Sequence, residues 1–133
     1  MMTQMLPEVE EAVAEIRSAF TANGVEVVLW DDGGAEVTVG GVELGEGYEP
    51  RTTFVGFRID HLYPHSDVYP HFMRPDLRRT NGAPLPNPGM IPNQQWRGQP
   101  AVMVSRRSTR WDPNRDTAAG KLHKVLEWVR CQA

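Results

Sequence analysis

Residues 25–60, VEVVLWDDGGAEVTVGGVELGEGYEPRTTFVGFRID, carry the reading of this chain's fold. Short β-rich runs, Val25 to Trp30, Glu36 to Val39 and Val42 to Leu44, are separated by Asp31-Asp32-Gly33-Gly34 and by Gly40-Gly41. Glycine and aspartate pairs between β-branched runs are the signature of tight turns joining antiparallel strands. Thr53, Val55, Phe57 and Ile59 then alternate with Phe54, Gly56, Arg58 and Asp60, which gives a longer strand one apolar face. The stretch predicts a four-stranded antiparallel meander.

Towards the N-terminus, Leu6, Val9, Val13, Ile16 and Phe20 recur at spacings of three and four. They form one stripe of an amphipathic helix, with Glu8, Glu11, Glu15 and Arg17 outside it. Asn23-Gly24 supplies residues suited to ending that helix. On the other side, residues 61–100 hold most of the eleven prolines and almost no periodicity, and predict an irregular proline-rich crossing. Tyr63, Tyr69, Phe72 and Trp96 argue that this long crossing packs down onto the domain. Ala101 to Val104 is a candidate short strand. Asp112-Pro113 predicts a helix start with proline at its first position, and Ala118, Leu122, Val125, Leu126 and Val129 form the buried stripe of a C-terminal helix. The expected architecture is a single α+β domain over residues 1–133.

Charge is divided along the chain. Residues 1–49 carry eleven carboxylates and one base, whereas residues 50–133 carry thirteen bases and six carboxylates, and the net charge is −3. The second half therefore offers a basic surface to an acidic partner. No apolar run approaches the roughly 18 residues of a membrane span, so no membrane partner is expected. The acidic N-terminus does not resemble a signal peptide, and a cytoplasmic location follows as the expectation. One cysteine, Cys131, excludes an intrachain disulfide and a cysteine-rich zinc cage.

His61, His65 and His71 near Asp67 are metal-ligating residue types, but their spacing matches no zinc pattern, and neither a metal nor another cofactor is expected. Arginines interleaved with aromatics suit single-stranded nucleic acid, yet the chain is acidic overall and holds no recognised binding motif, which argues against that partner. The segment Val102-Met103-Val104-Ser105-Arg106-Arg107-Ser108-Thr109-Arg110-Trp111-Asp112-Pro113 is the most informative. An apolar strand delivers the Ser105 hydroxyl into a basic turn, where Arg106 and Arg107 would stabilise a developing oxyanion. The same serines are also the residue type that satisfies backbone groups in a turn.

The order of elements resembles the ubiquitin-conjugating enzyme fold: an N-terminal helix, a four-stranded meander, a Tyr-Pro and further-proline crossing, an active stretch, and a helix introduced by Trp-x-Pro. The matching residues are Phe57 to Ile59 leading to Tyr63-Pro64, then Pro70 and Pro75, and Trp111-Asp112-Pro113 before the helix of Leu122 to Val129. Ser105-Arg106-Arg107 followed by Trp111-Asp-Pro-Asn-Arg-Asp116 resembles a bacterial branch of that superfamily, its prokaryotic family E. The resemblance implies a ubiquitin-like modifier protein and its activating enzyme as partners.

The sequence departs from that family at the nucleophile. The conjugating cysteine falls on Met103, and the His-Pro-Asn that precedes it is absent, with Thr80-Asn81-Gly82 as a candidate replacement some twenty residues before the active stretch. Cys131, at the far end of the last helix, is poorly placed to substitute. Two expectations stand. In one, Ser105 carries the modifier as an oxyester, with a histidine of the proline-rich crossing as base and Arg106 and Arg107 holding the oxyanion or the modifier's tail. In the other, the chain is an inactive conjugating-enzyme-like module that binds the modifier or its activating enzyme.

Overall fold

The computed structural model describes residues 4–133. Pro7 opens helix α1 (Pro7–Ala19), where its missing N–H and fixed φ suit the first turn. Val9, Ala12, Val13 and Ile16 are its buried face, in line with the sequence stripe. The helix stops at Ala19 rather than at Asn23-Gly24. The Asn23 side chain instead donates to the carbonyls of Gly40 and Gly41, 2.7 and 3.0 Å away.

Strands β1 (Val25–Leu29), β2 (Ala35–Glu43), β3 (Tyr48–Glu49) and β4 (Thr52–Ile59) follow. Gly40-Gly41 is not a turn between strands. It is a bulge inside a continuous β2, between Val39 and Val42, with Gly41 at φ +62°. One extra residue in a ladder calls for the backbone freedom that glycine has, and so mimics a turn signal in sequence.

The predicted irregular crossing contains further strands: β5 (His71–Met73), β6 (Arg78–Arg79), β7 (Met90–Trp96) and then β8 (Gln99–Val104). The main sheet is thus six-stranded, in the order β1-β2-β4-β5-β8-β7, and every pairing is antiparallel. A separate β3-β6 pair lies beside it. Prolines are tolerated in β7 because it is an edge strand, and Pro92 falls in its bulge between Ile91 and Gln94.

Cross-strand register lines up one buried row, Val37, Phe57, His71, Val104 and Met90, and a second, Val39, Val55, Met73 and Val102. The buried faces of α1 and of α2 (Ala118–Cys131) join the same hydrophobic cluster. On the opposite face Trp96 lies over Gly56, stacks on Phe72 with ring centroids 5.3 Å apart, and donates its indole N–H to Thr38 Oγ1 at 2.9 Å.

Helix α2 begins five residues after Pro113, not at it. Thr117 is the N-cap, its hydroxyl accepting from the amide of Gly120 at 3.0 Å. Asp112 to Asp116 form a self-bonded turn, in which Asn114 N–H donates to Asp112 and Asp112 N–H donates to Asp116. The architecture is α+β: an N-terminal helix, a six-stranded antiparallel sheet and a C-terminal helix. No helix among the described residues is long and apolar enough to cross a membrane.

Candidate functional site

Strand β8 ends at Val104, and the chain then leaves the sheet over residues 105–111. Three anchors from the loop between β4 and β5 hold this segment. The Ser105 hydroxyl and the Tyr69 hydroxyl lie 2.8 Å apart. Asp67 accepts from the Ser108 amide at 2.7 Å and from the Ser108 hydroxyl at 3.1 Å. The Trp111 indole donates to the Pro64 carbonyl at 2.7 Å. The Tyr63-Pro64 and Trp111-Asp112-Pro113 motifs, 47 residues apart, are thereby brought together. Tyr63 also ties the loop to α2, its hydroxyl accepting from Ala118 N–H at 3.0 Å.

Lys121 completes the second anchor from α2. Its Nζ lies 3.0 Å from both Asp67 oxygens and 2.5 Å from Ser108 Oγ, and the side chain is only 5% exposed. A buried ammonium is tolerable when paired and hydrogen-bonded in this way. The Ser108 hydroxyl donates to Asp67 and accepts from Lys121, so it is fully committed, and Lys121 is an ion-pair partner rather than a free amine.

Ser105 has a different environment. Its amide donates to Gly89 O at 2.8 Å, which fixes the backbone, and its side chain is half-buried with the Tyr69 phenol as partner. The hydrogen bond from Ser105, helped by the Arg107 guanidinium over the Tyr69 ring at 4.5 Å, holds the phenol below its ordinary pKa. Arg106 is exposed and lies over the Trp128 ring at 4.6 Å. Trp128 itself fills the space above Gly89, where no Cβ would fit.

The expected histidine base is not at Ser105. His61 faces Asp32 at 3.3 Å, His65 is exposed, and His71 is fully buried against Phe57 with neither ring nitrogen hydrogen-bonded. Burial, with Lys121 nearby, pushes the His71 pKa down to about 3 against the opposing influence of Asp67. Tyr69 occupies the position the histidine was expected to take. Thr80 and Asn81 bond to Glu46, Gly47 and Ala83, and make no hydrogen bond to Ser105. Cys131 is exposed at the end of α2. Among the described residues no group of three or more histidine, cysteine or acidic side chains converges to hold a metal.

Between residues 106–110 and α2 lies a cleft of about 370 Å³. Arg106, Arg107, Arg110, Arg115, Lys121 and Lys124 line it, with Asp116 as its carboxylate. Ser105, Arg106 and Arg107 stand out in the sequence, whereas Asp67 is marked there only beside the histidines, Tyr69 only as a packing aromatic, and Lys121 is not singled out. Lys121 had a signal: with Ala118, Leu122 and Val125 it stands on the buried stripe of α2. Comparison with protein-family models, curated proteins and solved structures finds no match to this chain.

Proposed function

We propose that this chain is a bacterial ubiquitin-conjugating-like protein of a ubiquitin-like modifier pathway, and that Ser105 takes up the modifier's C-terminus as an oxyester. The observation that carries the reading is the 2.8 Å hydrogen bond between Ser105 Oγ and the Tyr69 hydroxyl, at the end of the strand that leads into the basic turn. A serine hydroxyl is a weak nucleophile until a neighbouring base takes its proton. Tyr69, with its pKa lowered by Ser105 and Arg107, supplies a phenolate more readily than an ordinary tyrosine.

The step balances as an acyl transfer. Tyr69 phenolate accepts the Ser105 proton while Oγ attacks the carbonyl of a modifier activated as a thioester. The tetrahedral oxyanion collapses, the C–S bond breaks, and the thiolate of the activating enzyme leaves with the electron pair and takes a proton back from Tyr69. Arg106 and Arg107, both exposed beside Ser105, supply positive charge for the oxyanion. The contact between Tyr63-Pro64 and Trp111 supports the same reading, because the motifs that carry the family resemblance form one structural unit.

A second reading, a module that binds the modifier or its activating enzyme without chemistry, draws on the location of the three loop histidines, none of which reaches Ser105. Incubation with modifier, activating enzyme and ATP separates the two. The carrier gives an adduct that survives thiol reductant and yields to hydroxylamine, persists in Cys131→Ser and disappears in Ser105→Ala. Binding without any adduct supports the module.

A further inference from the structure

We propose that the cleft between residues 106–110 and α2 is a binding site for a small ligand bearing two or more phosphate groups. The inference shares Arg106 and Arg107 with the Ser105 reading but does not require that Ser105 react, and its test falls on Arg110 and Arg115. It rests on how charge is compensated around the cleft. The two lysines are already paired, Lys121 with Asp67 at 3.0 Å and Lys124 with Asp116 at 3.6 Å. The four arginines are not: among the described residues, Arg106, Arg107, Arg110 and Arg115 reach no carboxylate. Four guanidinium groups without a salt-bridge partner, Arg115 feeling Asp116 only at longer range, therefore border one space of about 370 Å³.

Their loop is held before any ligand arrives. Ser105, Ser108 and Trp111 are each hydrogen-bonded to the loop between β4 and β5, so ordering the cleft does not have to be done by binding. Thr109 adds an exposed hydroxyl to the lining.

The chemistry of the donors selects the ligand. Guanidinium forks match the oxygens of phosphate in paired hydrogen bonds, and four of them call for an anion carrying several charges rather than one carboxylate. The volume lies in the range of small-molecule sites. Single-stranded nucleic acid binds by stacking its bases on open aromatic faces. Here Arg106 covers a face of Trp128 and Arg107 a face of Tyr69, which favours a compact oligophosphate over a strand.

Titration calorimetry of the full chain at low ionic strength, with inorganic tripolyphosphate as probe, tests this. One-to-one binding is expected, tighter than for orthophosphate, for citrate, for an acidic peptide or for an oligothymidylate. Arg110→Ala/Arg115→Ala should weaken it about tenfold or more, since each lost charged hydrogen bond removes a strong contact. Arg51→Ala/Arg78→Ala, which removes equal charge from exposed pairs elsewhere, should leave affinity within about twofold. Both arginines in the test pair are exposed, so unchanged thermal unfolding without ligand certifies the fold. Absence of binding, equal weakening by both double variants, or tighter binding of citrate, peptide or oligonucleotide would overturn the proposal.

Discussion

The hydroxyls of Tyr69 and Ser105 sit 2.8 Å apart although 36 residues separate them in the chain. In the proposed reaction the phenol orients the serine and takes its proton. Tyr69→Phe keeps the ring beneath Arg107 and removes only the oxygen. Adduct formation at Ser105 should slow by about 10²-fold or more, the range of a lost general base. The wild-type rate should rise with pH as the phenol, held below its ordinary pKa, ionises. Initial rates across pH check this, and a Phe variant with the same pH profile as wild type would remove Tyr69 from the mechanism.

Lys121 and Asp67 should act as a unit. Lys121→Met leaves a carboxylate that is 16% exposed without its cation, and should destabilise the protein by about 3 kcal/mol. Adding Asp67→Leu should recover part of that loss, because no unpaired charge remains. Urea unfolding of the two single variants and the double variant measures the coupling. A change below about 1 kcal/mol for Lys121→Met would show a pair of the weak, surface kind.

His71 should make stability depend on pH. The folded state keeps the imidazole neutral down to about 3, whereas the unfolded chain takes up a proton below the usual 6.5. Stability from this group is therefore complete above pH 6.5 and is lost as pH falls towards 3, by up to about 1.4 kcal/mol per unit. His71→Leu removes the titrating group and two unpartnered nitrogens. Its urea midpoint should match or exceed that of wild type at neutral pH, and the gap should widen on acidification. Parallel pH profiles for the two proteins would contradict this.

Gly56 is required by what covers it. A Cβ there would collide with the Trp96 ring, which is itself hydrogen-bonded to Thr38 and stacked on Phe72. Gly56→Ala should destabilise the protein by about 1–3 kcal/mol through overpacking and should shift the tryptophan emission. An unperturbed spectrum with unchanged stability would mean that Trp96 does not rest on this glycine.

Much of this architecture was legible in the sequence, where one periodicity ran long enough to be read. The stripe of Val9, Val13 and Ile16 marked α1, that of Ala118, Leu122 and Val125 marked α2, and the alternation from Thr53 to Ile59 marked β4. Strand β5 is three residues long, too short for alternation to show, and β7 hides behind Pro92 and a bulge. Gly40-Gly41 gives the same local signal whether it turns the chain or bulges it, and only pairing with β4 decides. In the site, Ser105 announced itself as a hydroxyl at a strand end among bases. Tyr69 and Asp67 did not, because their partners lie 36 and 41 residues away and no local spacing encodes such contacts. A histidine was expected as base on chemistry alone; His71 is instead in the core because β5 pairs it with Phe57 and Val104.

Intact mass decides whether Ser105 carries the modifier. The chain is incubated with modifier, activating enzyme and ATP, quenched in acid, weighed with and without thiol reductant, and then digested to locate the linkage. A gain of one modifier less one water is expected, resistant to reductant, mapped to the peptide containing Ser105 and absent from Ser105→Ala. An adduct mapped to Cys131 or to another side chain, or modifier bound with no covalent gain in mass, would contradict it.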